Sequence, residues 1–280
     1  MHIRVDDVRL FFDVEGAKLR PDGPVMREVP TLLLLHGGPG FDHSGFKPGF
    51  SEATEYAQVV YLDLRGNGRS DSGPSEKWSL AQWALDVWQF CDTLCIEAPI
   101  VLGHSLGGIV AMVYATTYPD RISKLILSST STHPIGERSF ETFERLGGLR
   151  ARAAAMAFWQ HPDDASWAAY EQLCVPLCTH SAAPVGYFER AIRNPAMRLF
   201  FVERELQRMD LLHQLSRVKC PTLIVAGEDD PITPLADAEE IAAALPRDLF
   251  RFECFAGAGH GVFRDQSAAF FRILREFIGK

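Results

Sequence analysis

Strand-like and helix-like segments alternate along most of this 280-residue chain, and this alternation limits the possible folds more than any other feature. Apolar runs bounded by Gly, Pro or polar residues predict buried strands at residues 31–36, 58–64 and 99–104. Helical spacing of apolar residues predicts helices at residues 79–96 and 106–119. Strands that alternate with helices favour a mainly parallel sheet covered on both faces.

The alternation stops at about Ser131 and resumes after Val218. The segment between them is rich in Ala, Arg, Phe and Trp and shows helical patterns without a convincing strand. With an amino-terminal hairpin and two strands after the interruption, the sequence predicts an eight-stranded sheet. The predicted core therefore comprises residues 1–130 and 219–280, and a helical cap of residues 131–218 follows the sixth strand.

Composition excludes several classes of protein. The formal net charge of −8 and the absence of any Lys/Arg block argue against nucleic acid as a partner. No run approaches the roughly 18 apolar residues of a spanning helix, and the first residues lack the pattern of a signal peptide, so we expect no membrane contact and a cytoplasmic protein. Six cysteines in a chain of this length do not form a disulfide framework.

The cysteine spacing gives no indication of a metal centre. Cys91/Cys95 and Cys174/Cys178 lie four residues apart, with His180 near the second pair. Zinc sites usually show Cys-x-x-Cys or His-x-x-x-His spacing together with further ligands. We therefore expect buried, reduced thiols, and neither a metal nor an organic cofactor.

The segment VLGHSLGGIV contains the strongest chemical signal. Gly103-His104-Ser105-Leu106-Gly107 is a G-x-S-x-G pattern between a predicted strand and a predicted helix. In this context the pattern is typical of a nucleophile elbow, in which the serine hydroxyl is exposed on a strained turn. The competing interpretation is an ordinary Gly-rich connection from strand to helix.

A serine nucleophile needs a base and an acid, and both have candidates. His260 lies in FAGAGHGVF, a Gly-rich loop after the last predicted strand, and alone among the histidines has that position. Asp229 and Asp230 follow the preceding strand in AGEDDPITP. Both loops belong at the carboxyl edge of the sheet, where an aspartate can hold the histidine in one tautomer.

The order Ser105, Asp230, His260 and the strand–elbow–helix context resemble the α/β-hydrolase superfamily over nearly the whole chain. The G-x-x-D spacing common in that superfamily, counted from Gly227, favours Asp230 over Asp229 as the acid. HGGPG at 36–40 and DLRGNGRS at 63–70 resemble its proline iminopeptidase branch. In the second segment we expect Asp63 and Arg65 to brace a turn.

The HGGPG run also has a chemical interpretation. Acyl transfer places negative charge on the former carbonyl oxygen, which needs preorganised N–H donors. The N–H of Leu106, directly after the nucleophile, is one expected donor, and the N–H of Gly38 is the other. We expect His36 to order this loop.

The cap carries the candidates for substrate recognition. SWAAYEQL resembles the W-x-x-W-E stretch in the cap of proline iminopeptidases, which implies that Trp167, Tyr170 and Glu171 hold a proline ring and its free amine. Glu203 is a second candidate carboxylate, and which of the two glutamates faces the pocket stays open. The competing interpretation is a packed Trp167 beside a solvated Glu171.

The sequence thus predicts a serine hydrolase that acts on small molecules or short peptides. The leading hypothesis is cleavage of an N-terminal residue, because of the iminopeptidase-like segments. The elbow reads GHSLG instead of the GGSWG usual in that branch, and Leu106 is the commoner residue in esterases and lactonases. An esterase or an acyl-homoserine lactonase is therefore the alternative, and a non-catalytic ligand-binding protein is the third.

Overall fold

The computed structural model of the chain describes residues 1–279. Its central sheet has eight strands: β1 (His2–Val5), β2 (Val8–Glu15), β5 (Thr31–Leu35), β6 (Gln58–Leu62), β7 (Ile100–His104), β8 (Lys124–Ser128), β9 (Thr222–Gly227) and β10 (Phe250–Phe255). Their order across the sheet is β1-β2-β6-β5-β7-β8-β9-β10. Strand β2 pairs antiparallel with both neighbours, and all remaining pairs are parallel. The predicted α/β-hydrolase fold is confirmed.

Helices cover both faces of this sheet. One face carries α1 (Leu80–Thr93), α2 (Leu106–Thr117) and α6 (Leu235–Ala244), which pack in one apolar cluster. The other face carries α8 (Ser267–Gly279), preceded by the single turn α7 (Val262–Asp265). Because both faces are covered, β5 and β7 are buried at every residue. This explains why these strands appear in the sequence as continuous apolar runs.

The cap lies between β8 and β9. It contains α3 (Glu137–Gln160), α4 (Asp164–Leu173) and α5 (Pro195–Phe200), followed by a π-helical turn at Phe201–Glu205. Within α3, Gly148 has a φ of 74°, which kinks the helix. No helix within residues 1–279 is long and apolar enough to cross a membrane.

A second, two-stranded sheet lies outside the main one. Strands β3 (Leu19–Asp22) and β4 (Val25–Glu28) form an antiparallel hairpin that no pattern in the sequence predicted. The turn contains Gly23 at a φ of 58°, a conformation that glycine adopts without steric cost. Nearly all of the hairpin is exposed, so no alternating apolar pattern marked it in the sequence.

Candidate active site

Ser105 stands on a sharp turn between β7 and α2. Its φ of 53° and ψ of −119° lie outside the regions that L residues prefer, so the turn is strained. The glycines of the pattern let the two elements approach each other: a Cβ on Gly103 would lie 2.2 Å from the carbonyl oxygen of Gly107. Such a turn presents a serine hydroxyl at the edge of the sheet.

His260 and Asp230 come together at the same edge. His260 lies in the loop after β10, and Asp230 lies in the loop after β9. The Nδ1 atom of His260 is 2.8 Å from Oδ2 and 3.0 Å from Oδ1 of Asp230. Both side chains are buried, so their contact is shielded from water. The backbone N–H of His260 also donates to the carbonyl oxygen of Cys178 in the cap, at 2.7 Å.

The two adjacent aspartates have opposite surroundings. Asp230 is fully buried and accepts hydrogen bonds from the N–H groups of Ile232 and Thr233 and from the Thr233 hydroxyl, at 2.9 to 3.0 Å. Asp229 points away and pairs with Arg145 at 2.8 Å. Only Asp230 therefore contacts the candidate base.

Two backbone N–H groups close to Ser105 have no hydrogen-bond acceptor within residues 1–279. One belongs to Leu106, the first residue of α2, where the helix dipole favours negative charge. The other belongs to Gly38, whose φ of 132° requires glycine. Gly38, Leu106 and Ser105 line the same small cavity. Both sequence-predicted oxyanion donors are thus next to the serine.

His36 holds the loop that carries Gly38. Its Nδ1 donates to the carbonyl oxygen of Gly37 at 2.7 Å, and its Nε2 accepts from the N–H of Leu64 at 3.2 Å. Burial lowers the pKa of His36, which keeps the ring neutral and leaves Nε2 able to accept. The structure therefore gives His36 the ordering role expected from the sequence.

The DLRGNGRS segment is a buried brace. Asp63 accepts from Nδ1 of His43 at 2.7 Å, and Arg65 makes two hydrogen bonds to Asp86 at 2.7 and 2.8 Å. Asp63 and Arg65 are both fully buried and neither lines the cavity beside Ser105. This agrees with the bracing role predicted from the sequence.

Ser105 and His260 open into a cavity of about 220 Å³ between the core and the cap. Its walls are largely apolar and include the aromatic side chains of Phe41, Phe46, Phe158, Trp159, Trp167 and Tyr170. The structure thus brings two of the predicted substrate-binding residues, Trp167 and Tyr170, to the candidate nucleophile. A largely apolar cavity of this kind suits a small apolar group.

The two predicted glutamates do not line this cavity. Glu171 is bonded to Arg193 through Oε1 and Nη1, 2.6 Å apart, and its side chain is 39% exposed. Glu203 is exposed on the π-helical turn. Its neighbour Glu205 accepts from the N–H of Leu80 and caps α1. Neither predicted carboxylate is therefore placed to meet an amine beside Ser105.

The charged cap residue that does line the cavity is Arg198, which sequence reasoning missed. Its side chain is buried, and its guanidinium carbon lies 3.9 Å from the ring centre of Trp167. The sequence NPAMRLFF could have indicated Arg198. Asn-Pro is typical of a helix start, and Arg198 is surrounded by apolar residues in the helix that follows.

A second histidine borders the candidate base. The ring of His104 is centred 4.9 Å from that of His260. Burial lowers the pKa of His104 well below its usual value, so the ring is neutral. His104 therefore adds no positive charge that would oppose protonation of His260.

One cluster of metal-binding side chain types occurs within residues 1–279. His133, Asp237 and Glu240 bring their ligand atoms within 4.8 Å of one another. Arg138 already contacts both carboxylates, with its Nη2 2.6 Å from Glu240. Arg138 thus balances negative charge of the Asp237 and Glu240 carboxylates, so the cluster does not favour a metal ion.

The sheet order, the elbow serine and the buried Asp–His pair define an α/β hydrolase. Residues 30–267 match the family Hydrolase_4, described as "Serine aminopeptidase, S33", and the chain belongs to this family. The match covers most of the core and all of the cap.

The proteins that this chain resembles are named after different hydrolase activities. "Putative carbamate hydrolase RutD" of Shigella flexneri is 30% identical over 236 residues, which cover 82% of this chain and 84% of that one. A proline iminopeptidase from Mycobacterium smegmatis superposes with a TM-score of 0.76 at 21% identity, covering 100% and 97% of the two chains. An enol-lactonase from Burkholderia xenovorans LB400 gives 0.75 at 20% identity and covers all of both chains. These two structural likenesses support the fold alone.

Proposed function

We propose that this hydrolase cleaves a small carboxylic ester or lactone through an acyl-enzyme on Ser105. The observation that carries the proposal is the buried His260–Asp230 contact beside a largely apolar cavity that Ser105 and His260 line. Esterases and lactonases need no charged group for an amine, and the GHSLG elbow agrees with that class. The names of two similar proteins, a putative carbamate hydrolase and an enol-lactonase, are in keeping with hydrolysis of an acyl bond.

In the first half of the reaction, the Ser105 hydroxyl oxygen attacks the substrate carbonyl carbon while His260 Nε2 takes the hydroxyl proton. Asp230 holds the opposite nitrogen, Nδ1, as a donor and stabilises the charged ring. The Gly38 and Leu106 N–H groups donate to the oxyanion of the tetrahedral intermediate. The alcohol then leaves with the proton from His260, and the acyl group stays on Ser105.

In the second half, His260 takes a proton from water, and the resulting hydroxide attacks the acyl carbonyl. The same N–H groups stabilise the second oxyanion, and the proton on His260 returns to Ser105 as the acid leaves. No metal ion or organic cofactor takes part in this sequence.

The alternative is removal of an N-terminal proline, in keeping with the family description and with HGGPG and DLRGNGRS. A carboxylate that is free to pair is the strongest partner for a desolvated ammonium. The acidic side chain on the cavity wall, Asp42, already pairs with Arg69 at 3.1 Å, and Glu171 pairs with Arg193. These contacts argue against recognition of an amine.

The discriminating experiment measures kcat/KM for p-nitrophenyl butyrate, an acyl-homoserine lactone and L-proline p-nitroanilide. We expect turnover of the ester or the lactone and little of the amide. A clear preference for the proline amide would overturn the proposal in favour of the aminopeptidase.

The nucleophile is tested by labelling with a fluorophosphonate. The wild-type chain should be labelled, and Ser105→Ala should lose both the label and turnover. Labelling that persists in Ser105→Ala would place the nucleophile elsewhere, and an unlabelled, inactive wild type would indicate a ligand-binding protein.

A further inference from the structure

Arg198 is a buried cation that forms no ion pair with any carboxylate in residues 1–279. Its residue is 3% exposed, it lines the cavity beside Ser105, and its guanidinium makes no ion pair within 4 Å. The Nε atom is buried and has no hydrogen-bond acceptor. A buried charge is costly unless it is paired, so an unpaired guanidinium facing a cavity points to an anion that arrives with a ligand.

The neighbouring carboxylates favour the charged form of Arg198 only from a distance. Glu171 and Asp164, both on the adjacent helix α4, do not contact its guanidinium, and Glu171 is itself bonded to Arg193. Burial lowers the pKa of Arg198 from its usual value, but a guanidinium stays protonated at neutral pH. The contact with the Trp167 face supports the cation from one side and leaves the guanidinium edge for hydrogen bonds.

The position of Arg198 is fixed against the loop that carries Gly38. The N–H of Asn194 donates to the carbonyl oxygen of Gly40 at 2.8 Å, and its side chain amide donates to the carbonyl oxygen of Gly66 at 2.8 Å. A Cβ on Gly40 would lie 3.2 Å from the Cβ of Arg198. Helix α5 is thus held on the core beside the oxyanion donors, so the cation and Ser105 face one cavity on a rigid support.

Arg264, the second arginine on the cavity wall, is a weaker candidate for binding an anion. Arg264 is only half-buried, its guanidinium donates to the Tyr187 hydroxyl, and it lies against the Tyr187 and Phe263 rings. The Tyr187 hydroxyl accepts a hydrogen bond from Arg264, and the partial exposure of Arg264 leaves it open to solvent. The Arg198 side chain is buried and has no such hydroxyl partner.

We propose that Arg198 binds a carboxylate of the substrate, so the natural ester or lactone is an organic anion. This inference rests on the proposed function and specifies its substrate class. A planar guanidinium matches a carboxylate with two parallel hydrogen bonds, and the aromatic walls would hold the chain between that carboxylate and the reacting carbonyl.

The test compares two esters of equal acyl length, mono-p-nitrophenyl adipate and p-nitrophenyl hexanoate. The measured quantity is the ratio of kcat/KM for the anionic ester to that for the neutral ester. Arg198→Met should lower this ratio by about 10- to 100-fold, as expected for the loss of hydrogen bonds to a charged group. Arg198→Lys, which keeps the charge but not the planar pair of donors, should give an intermediate ratio.

Arg204→Met is the matched control, because Arg204 lies on the next turn of the cap but is exposed and does not line the cavity. It should leave the ratio at the wild-type value. General damage to the cap would reduce both rates equally and leave the ratio unchanged. A ratio that Arg198→Met does not alter, in an enzyme that hydrolyses the neutral ester, overturns the inference alone.

A second measurement uses inhibition by adipate, with hexanamide as the uncharged comparison. Adipate should inhibit hydrolysis of p-nitrophenyl hexanoate competitively in the wild type and more weakly, by about 10-fold or more, in Arg198→Met. Equal inhibition of both chains would also overturn the inference. If the wild type hydrolyses neither ester and Ser105 is not labelled, the proposed function itself fails.

Discussion

At the scale of single residues, Asp229 and Asp230 show that a shift of one position in the chain changes the role of a carboxylate. The two carboxylates follow the same strand, yet one is bonded to Arg145 on the cap surface and the other is fully buried against His260. The donors around Asp230 fix the orientation of its carboxylate. The chemistry therefore depends on backbone direction after β9, because the side chains are identical.

Asp230→Asn should reduce kcat about 10⁴-fold, because an amide in this position favours the wrong tautomer of the base. Asp229→Asn is the matched control and should keep most of the activity, since its side chain contacts Arg145 instead of His260. Ester hydrolysis by both variants at neutral pH measures the effect. A large loss in Asp229→Asn with an active Asp230→Asn would reassign the acid.

Gly103 sets the geometry of the elbow. Gly103→Ala would place a methyl group 2.2 Å from the Gly107 carbonyl oxygen, a contact that only a backbone shift can relieve. We expect the free energy of unfolding to fall by about 3 kcal/mol or more. Gly49→Ala, where no atom lies within 4 Å of the added carbon, is the control. Urea unfolding of both variants measures the difference, and equal stabilities would contradict the elbow contact.

At the scale of secondary-structure elements, the sequence correctly predicted those elements that depend on a local residue pattern. The buried strands, α1 and the elbow all follow from runs and spacings within about 20 residues. The candidate site could also be predicted, because each of its residues lies in the loop after a strand. Parallel strands end at the same edge of the sheet, which brings these loops together. Hairpin β3–β4 was missed because its residues are exposed and carry no apolar alternation.

The orientation of the cap helices could not be predicted in the same way. Trp167 and Glu171 lie four residues apart on α4, which suggested one shared face toward the pocket. In the structure, Trp167 lines the cavity while Glu171 turns to Arg193. Which edge of a helix borders a cavity depends on the segments packed beside it, here α5 with Arg198. That packing is a long-range property that spacing does not encode.

The entry to the cap is joined to α6 by a pH-dependent contact. His133 lies 3.4 Å from Asp237 and 3.2 Å from Glu240, and the hydrogen bond to Asp237 raises the pKa of His133 to about 9. Because this value exceeds the usual 6.5, the folded state binds the proton more tightly than the unfolded chain. The stabilisation is complete below pH 6.5 and is lost as the pH rises through 9.

His133→Asn should therefore destabilise the protein most at pH 6 and hardly at all at pH 10. Urea unfolding of wild type and variant across this range gives the difference in unfolding free energy at each pH. The measurement at pH 10 serves as the internal control. A difference that stays constant with pH would show that the ion pairs of His133 contribute nothing.

At the scale of the whole molecule, the cap and the core share one apolar cluster. Phe143 and Phe158 of α3 belong to the same cluster as Trp83 of α1 and Val110 of α2. Polar contacts add to this, since the cap's Glu205 caps α1. The cap's Cys178 carbonyl also holds the backbone of the candidate base, so the position of the base depends on the cap. We infer that cap and core form one cooperative unit.

Phe143→Ala tests this cooperativity. Phe143 is fully buried with its ring centred 5.7 Å from that of Tyr170, and its truncation should cost about 3–5 kcal/mol. If cap and core unfold together, calorimetry will show one transition, lowered by about 2–4 °C for each kcal/mol. Leu149→Ala, at a 72% exposed position on the same helix, should leave Tm unchanged. An early transition of the cap, followed by a core that melts at the wild-type temperature, would mean that the cap moves independently of the base it holds.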